Sequence, residues 1–211
     1  LAGVLALARN FPHFLAAQRE KRWDQRQPQG LPCDLRTQTA LIVGWGPVAK
    51  EIARLLVAIG VQCIAVRRNA GEPAEGGVGM ICFAELKANL GRADWLILAC
   101  PLTEVTRSLV DSAHLDLLPA GARVINVARG EVIVQADLIA ALQAGRLAGA
   151  YLDVTEPEPL PPDSPLWTLD NVILTPHTAG HANTNAERVA SMFLENLARW
   201  RDGLALLNLC P

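Results

Sequence analysis

The stretch Ala40-Leu-Ile-Val-Gly44-Trp-Gly46-Pro-Val-Ala49 decides the fold. Thr39 to Val43 is a short apolar run with β-branched residues that breaks at Gly44, and beyond Pro47 the positions Val48, Ile52, Leu55, Leu56 and Ile59 trace one helix face. The order is strand, turn, helix, with Pro47 suited to a first helical position and Gly60 to the C-terminal cap. Across the turn the pattern is GxGxxA. Its first glycine allows a tight turn, its second lets the backbone approach a pyrophosphate, and its small third residue lets helix and strand pack closely. The helix N-terminus then offers free N–H groups and the positive end of a dipole to phosphate oxygens. Gly44, Gly46, Pro47 and Val48 are therefore expected to form a dinucleotide-binding turn.

Outward from that unit the alternation repeats. Gln62 to Val66 reads as a second strand, followed by a loop rich in glycine (Gly71, Gly76, Gly77, Gly79) and a short helix near Phe83 to Leu90. Strands are expected at Trp95–Ala99, Arg123–Val127, Ala148–Leu152 and Val172–Leu174, and helices at Asp111–Leu118 and Gln135–Ala144. Uninterrupted apolar strands separated by helices indicate a parallel sheet covered on both faces, hence a doubly wound α/β domain of the Rossmann type. In front of it, Leu1, Val4, Leu5, Ala8, Phe11 and Leu15 recur at helical spacing, which predicts a helix or helix pair bent at Pro12. Pro28, Gly30 and Pro32 mark a connector. Behind it, Thr184 and Glu187 stand at capping-box spacing before a helix through Val189, Phe193, Leu197 and Trp200 that ends at Gly203. The chain divides into a helical segment with connector over 1–36, a dinucleotide-binding domain over 37–180 and a C-terminal helix over 181–211.

Composition narrows the function classes. The 211 residues are 51% apolar, enough for a sizeable core, and the net charge of −2 with no block of like charges leaves no basic face for a nucleic acid. The longest apolar stretches, such as Trp95 to Leu102, fall far short of the roughly 18 residues that suggest a membrane span. Cys33, Cys63, Cys82, Cys100 and Cys210 lie far apart, without a CxxC pair, and read as reduced thiols of a cytoplasmic protein. His177 and His181 stand four apart, but no HExxH surrounds them and no third ligand is evident, so no metal is expected. His181 reads as a structural or surface residue.

The second strand carries information about the cofactor. An acidic residue at its end would accept hydrogen bonds from the adenosine ribose of NAD, whereas this strand ends in Arg67-Arg68. Two guanidinium groups there suit a 2′-phosphate, so NADP(H) is expected to be preferred, with NAD(H) possible.

Four further blocks carry a resemblance. They are Cys100-Pro-Leu-Thr103, Leu118-Pro-Ala-Gly-Ala-Arg-Val-Ile-Asn-Val-Ala-Arg-Gly130, Gly149-Ala-Tyr-Leu-Asp-Val-Thr-Glu-Pro-Glu-Pro159 and Leu174-Thr-Pro-His-Thr-Ala-Gly180. In this order the chain resembles the D-isomer-specific 2-hydroxyacid dehydrogenases from its first helix to its last line. Glu158-Pro-Leu-Pro-Pro-Asp-Ser-Pro-Leu-Trp167 is most similar to the glyoxylate and hydroxypyruvate reductase branch. The resemblance implies that Arg129 contacts the substrate carboxylate and keto oxygen, that His177 is the acid/base and that Glu158 partners it. It implies too that Asp153 holds the nicotinamide side, with Cys100, Pro101, Ala128, His177 and Gly180 along the cofactor. Each role has a chemical reason, because reducing a 2-oxo acid needs a cation for the carboxylate, a proton donor for the forming alkoxide and a carboxylate that orients the donor imidazole.

The expected activity is hydride transfer between NADP(H) and a small 2-oxo or 2-hydroxy acid such as glyoxylate or hydroxypyruvate. A dinucleotide-sensing corepressor of the same fold and a phosphoglycerate-type dehydrogenase are the alternatives. Family members carry a substrate-binding lobe before the first helix, and only 43 residues precede Gly44, so most of that lobe is expected to be absent and the chain to begin part-way through a longer protein. The first helix lies at a dimer contact in related enzymes, which makes a homodimer the default.

Overall fold

The computed structural model describes residues 1–25, 32–68 and 75–209. Pro28 and Gly30 of the connector, Gly71 of the glycine-rich loop and Cys210 lie outside the described residues. Leu1–His177 and Thr178–Pro211 form two units, each described by itself.

The first unit is built on seven parallel strands: β1 (Thr39–Val43), β2 (Gln62–Arg67), β3 (Gly79–Cys82), β4 (Trp95–Leu98), β5 (Arg123–Asn126), β6 (Gly149–Leu152) and β7 (Val172–Leu174). Their spatial order is β3-β2-β1-β4-β5-β6-β7, so the winding reverses between β1 and β4. At such a switch point the loops leaving adjacent carboxyl ends diverge and open a crevice.

Alternation along the strands explains why an all-apolar run is needed. Leu41 and Val43 enter one core layer with Leu96, Leu98 and Val124, while Ala40 and Ile42 enter another with Trp95, Ile97 and Ile125. A parallel sheet buried on both faces leaves no room for polar alternation. Fully burying each large side chain contributes about 1.5–3 kcal/mol. The layers are covered by α3 (Pro47–Ala58), α4 (Leu86–Leu90), α5 (Ser112–Leu115) and α6 (Gln135–Gln143), together with α1 (Ala2–Ala8) and α2 (Phe11–Arg19) at the front.

Expected elements return with few differences. The helix pair at the front breaks at Asn10, which has φ 55°, and Pro12 sits in the first turn of α2, where its missing N–H costs nothing. The bend thus precedes the proline instead of falling on it. β3 lies where the sequence pattern shows only a glycine-rich loop, because Gly79-Met-Ile-Cys82 is short and its pairing with Ile64–Arg67 is not a local signal. The helix expected over Asp111–Leu118 is a single turn with Asp111 as its cap, accepting a hydrogen bond from the His114 N–H.

In the second unit, α7 (Asn185–Arg201) runs seventeen residues and buries none of them. The capping box expected from Thr184 and Glu187 does not form: Thr184 has φ −96° and ψ 1°, short of the extended backbone a capping side chain needs. After Gly203, at φ 67°, the chain turns back along the helix, where Asn196 makes two hydrogen bonds with the Leu207 backbone.

Candidate active site

The carboxyl edge of the sheet collects the residues singled out above. In spatial order it presents Arg67 at the end of β2, Gly44 after β1, Cys100 and Pro101 after β4, Ala128 and Arg129 after β5, Asp153 after β6 and His177 after β7. Ladder bonds continue one step past the strands and hold these loops in line. Gly44 N–H donates to Val66 (2.9 Å), Ala99 to Val43 (2.9 Å), Val127 to Leu98 (3.1 Å) and Asp153 to Asn126 (3.0 Å).

The glycine turn fits a pyrophosphate for two separate reasons. Gly44 has φ 110°, and a Cβ there would stand 2.6 Å from the Ala99 carbonyl oxygen, so only glycine lets β1 and β4 close up. Gly46 is the N-cap of α3, without a side-chain cap, and a Cβ there would meet nothing within 4 Å. That open space lies over the helix N-terminus, where an anion is favoured by N–H groups and dipole alike. Pro47 and Val48 are exposed beside it, and Ala49 is fully buried against the sheet, as the small third position requires. Arg67 is half-buried at the end of β2 and Arg68 is exposed. Cys100 is buried, and burial pushes its thiol up to about 11, which makes it a small apolar wall and not a nucleophile.

Beyond the crevice the polar groups become interlocked. His177 Nδ1 lies 2.9 Å from Glu158 Oε2, while Glu158 Oε1 accepts from the Thr155 N–H at 3.1 Å. His177 has φ 55°, held there by hydrogen bonds from its N–H to the Asp153 (2.7 Å) and Thr175 (3.0 Å) carbonyls. With Nδ1 facing the carboxylate, Nε2 is the ring nitrogen turned away from it. Asp153 is buried, and His177, Glu158 and Asp153 line one pocket of about 540 Å³ with Leu160, Trp167 and Leu174.

Arg129 is exposed just after β5, its guanidinium donating to the Ala128 carbonyl at 2.6 Å. Its loop is shaped by Asn126, a fully buried side chain that accepts from the Ala128 N–H (3.0 Å) and donates to the Arg129 carbonyl (3.0 Å). Next in the chain, Gly130 packs so closely on the Thr155 carbonyl and the Glu156 backbone that no Cβ fits. Gln135 at the start of α6 completes the join, its amide donating to the Glu156 carbonyl (2.8 Å) and accepting from the Glu156 N–H (3.0 Å). Thus the loop carrying Arg129 and the loop carrying Glu158 are packed as one piece. Sequence reasoning missed Asn126, Gln135, Thr155 and Thr175; only the buried amide in Ile-Asn-Val, anomalous in an apolar strand, carried a signal. Gly180 and His181 belong to the second unit, where the Gly180 carbonyl accepts from the Asn185 side chain at 2.9 Å.

A parallel sheet with a glycine turn at its switch point has the architecture of a Rossmann-type dinucleotide-binding domain. The chain belongs to the D-isomer specific 2-hydroxyacid dehydrogenase family, matching its NAD binding domain over residues 1–179. It is 38% identical over 179 residues to glyoxylate/hydroxypyruvate reductase A of Salmonella typhi, covering 83% of this chain and 55% of that protein. It is 32% identical over 212 residues to D-3-phosphoglycerate dehydrogenase of Archaeoglobus fulgidus, covering 99% of this chain and 39% of that one. The crystal structure of a D-isomer specific 2-hydroxyacid dehydrogenase from Xanthobacter autotrophicus Py2 in complex with NADPH and MES superposes with a TM-score of 0.86. Identity there is 37%, and the match covers 100% of this chain and 84% of that chain. The chain spans about half or less of the length of the first curated relatives it matches.

Proposed function

We propose that the protein moves a hydride between NADP(H) and C2 of a small 2-oxo or 2-hydroxy acid, with glyoxylate and hydroxypyruvate as the substrates of choice. The observation that carries the reading is the His177–Glu158 pair, 2.9 Å apart beside Asp153 at the carboxyl edge of a dinucleotide-binding sheet. Arg129 pairs with the substrate carboxylate, a planar match for its forked guanidinium. A nicotinamide held at the crevice would supply the hydride to C2 or accept it. His177 gives a proton from Nε2 to the oxygen that becomes the hydroxyl, or takes it back in the oxidative direction. Glu158 holds the ring by Nδ1 so that Nε2 faces the pocket, and Asp153 holds the nicotinamide side. Cys100, Pro101 and Ala128 complete the cofactor wall.

The carboxyl edge from β2 to β6 covers four strand spacings, roughly 19 Å at about 4.8 Å per spacing, along which these residues would hold an extended dinucleotide. Arg67 and Arg68 at the β2 end favour a 2′-phosphate, in keeping with the NADPH bound in the Xanthobacter relative. Likeness to a phosphoglycerate dehydrogenase supports a second reading, oxidation of a phosphorylated hydroxy acid with NAD. The unpaired thiols Cys33, Cys63, Cys82 and Cys100 suit a cytoplasmic protein. Exposed Leu5, Phe11 and Leu15 on α1 and α2 offer an apolar face to a homodimer.

The test is the initial rate of NADPH and of NADH oxidation by the full-length protein with glyoxylate, hydroxypyruvate, pyruvate and phenylpyruvate. NADPH with the first two is expected to be fastest. No turnover with any acid would favour a dinucleotide sensor instead.

A further inference from the structure

Tyr151 and Asp153 are two apart on β6 and its continuation, so their side chains share one face of the sheet. β7 pairs with β6 in the register Tyr151↔Ile173 and Leu152↔Leu174, and one further step sets Thr175 beside Asp153. Tyr151 Oη lies 2.8 Å from Thr175 Oγ1, and Thr175 Oγ1 donates to Asp153 Oδ1 at 2.5 Å. A threonine hydroxyl carries one proton, and here it goes to the carboxylate. The hydroxyl between the two strands must therefore receive its other bond from the Tyr151 O–H. The direction of the relay is fixed: tyrosine to threonine to aspartate.

Both ends of this relay are anchored. Gly3 of α1 packs against the tyrosine ring so closely that a Cβ would stand 2.5 Å from Cγ. At the other end Asp153 is buried at 4% exposure, and it lines the 540 Å³ pocket together with Thr175 and His177.

We propose that Tyr151 and Thr175 are positioning residues, aiming the Asp153 carboxylate at an N–H donor on the nicotinamide half of the dinucleotide and so setting the affinity for that half. This rests on the dinucleotide reading of the crevice. The donor that fits is the carboxamide, a neutral group with two N–H bonds that an acceptor-only partner recognises and a mobile one holds poorly. Neither hydroxyl touches the cofactor; they act through Asp153.

The test is to titrate the chain calorimetrically with two pairs of probes: NADP⁺ against 2′,5′-ADP, and NAD⁺ against ADP-ribose. The second member of each pair lacks the nicotinamide. Thr175→Val is expected to weaken the dinucleotide of the tighter pair by roughly 3- to 10-fold, the range of one hydrogen bond, and to leave its nicotinamide-free partner unchanged. Tyr151→Phe is expected to act in the same direction by a smaller factor, and Thr175→Ser to restore wild-type affinity. An equal loss for both members of a pair, or no loss for Thr175→Val, would overturn the relay's role and leave a purely structural contact. A wild-type chain that bound neither pair would overturn the dinucleotide reading, and the proposal with it.

Discussion

His177 and Glu158, nineteen residues apart in the chain, are joined by a 2.9 Å contact between Nδ1 and Oε2. The histidine reaches it from a left-handed backbone that two carbonyls hold in place, those of Asp153 and Thr175. Such a backbone is uncommon for a residue with a side chain and persists only where its surroundings over-determine it. On the proposed mechanism His177→Ala lowers kcat by roughly 10²- to 10⁴-fold with dinucleotide binding intact. Glu158→Gln keeps an acceptor but removes the charge, and is expected to lower kcat by about 10-fold or more, the range of a charge-assisted bond. Steady-state rates beside binding titrations check both; an unaltered kcat for Glu158→Gln would take the carboxylate out of the reaction.

Cofactor preference is tested at the end of β2. Arg67→Asp places a carboxylate where the 2′-phosphate is proposed to lie, and should weaken NADPH by roughly 10- to 150-fold while sparing NADH. Dissociation constants for both cofactors decide it. A wild type that binds NADH as tightly as NADPH would end the 2′-phosphate reading.

Arg129→Lys separates attraction from orientation. An ammonium keeps the charge but not the fork, so KM for the 2-oxo acid should rise and kcat should fall. If KM stays unchanged, the guanidinium serves the loop alone, through its bond to the Ala128 carbonyl.

Gly130→Ala addresses the join between the Arg129 and Glu158 loops. The added methyl meets the Thr155 carbonyl and the Glu156 nitrogen, backbone atoms that cannot swing aside. The cost should be about 1–3 kcal/mol in denaturant unfolding, the usual range for overpacking, with a loss of kcat because two proposed site loops are pushed apart. A variant with wild-type stability and rate would show that the two loops are not rigidly packed.

Thiol reactivity follows from burial. Cys63 and Cys100 are buried, which pushes each thiol up to about 11, so both are protonated at pH 8 and unreactive to a thiol reagent until the domain opens. Cys33 and Cys82 are half-buried and should react before these two. Because folding holds the two buried thiols above their ordinary value near 9, their contribution to stability is full below that pH and is lost as the pH rises toward about 11. Mass-resolved labelling at pH 8 checks the order; early modification of Cys100 would contradict it.

What the sequence by itself determined was local and periodic. β1, β7 and α3 with Pro47 at its head could be read because hydrophobic period and turn chemistry act over a few residues. Gly44 was legible because its need for glycine is written in the turn, although the backbone it approaches, at Ala99, was not. Arg129, Glu158 and His177 were singled out through motif resemblance, which also implied that Glu158 partners His177 but gave neither a distance nor the backbone that holds the ring. Tertiary structure decided the contacts around them. Gln135 clamping Glu156, Thr175 bonding Asp153 and Tyr151, and β3 pairing with β2 all depend on strand register and loop packing between distant segments. The same holds for Thr184, whose capping box was correct in residue type but whose backbone does not adopt the required angles. A hydrogen bond between segments far apart in the chain leaves no periodic trace in the residues that make it, because its geometry exists only after the sheet has set their positions.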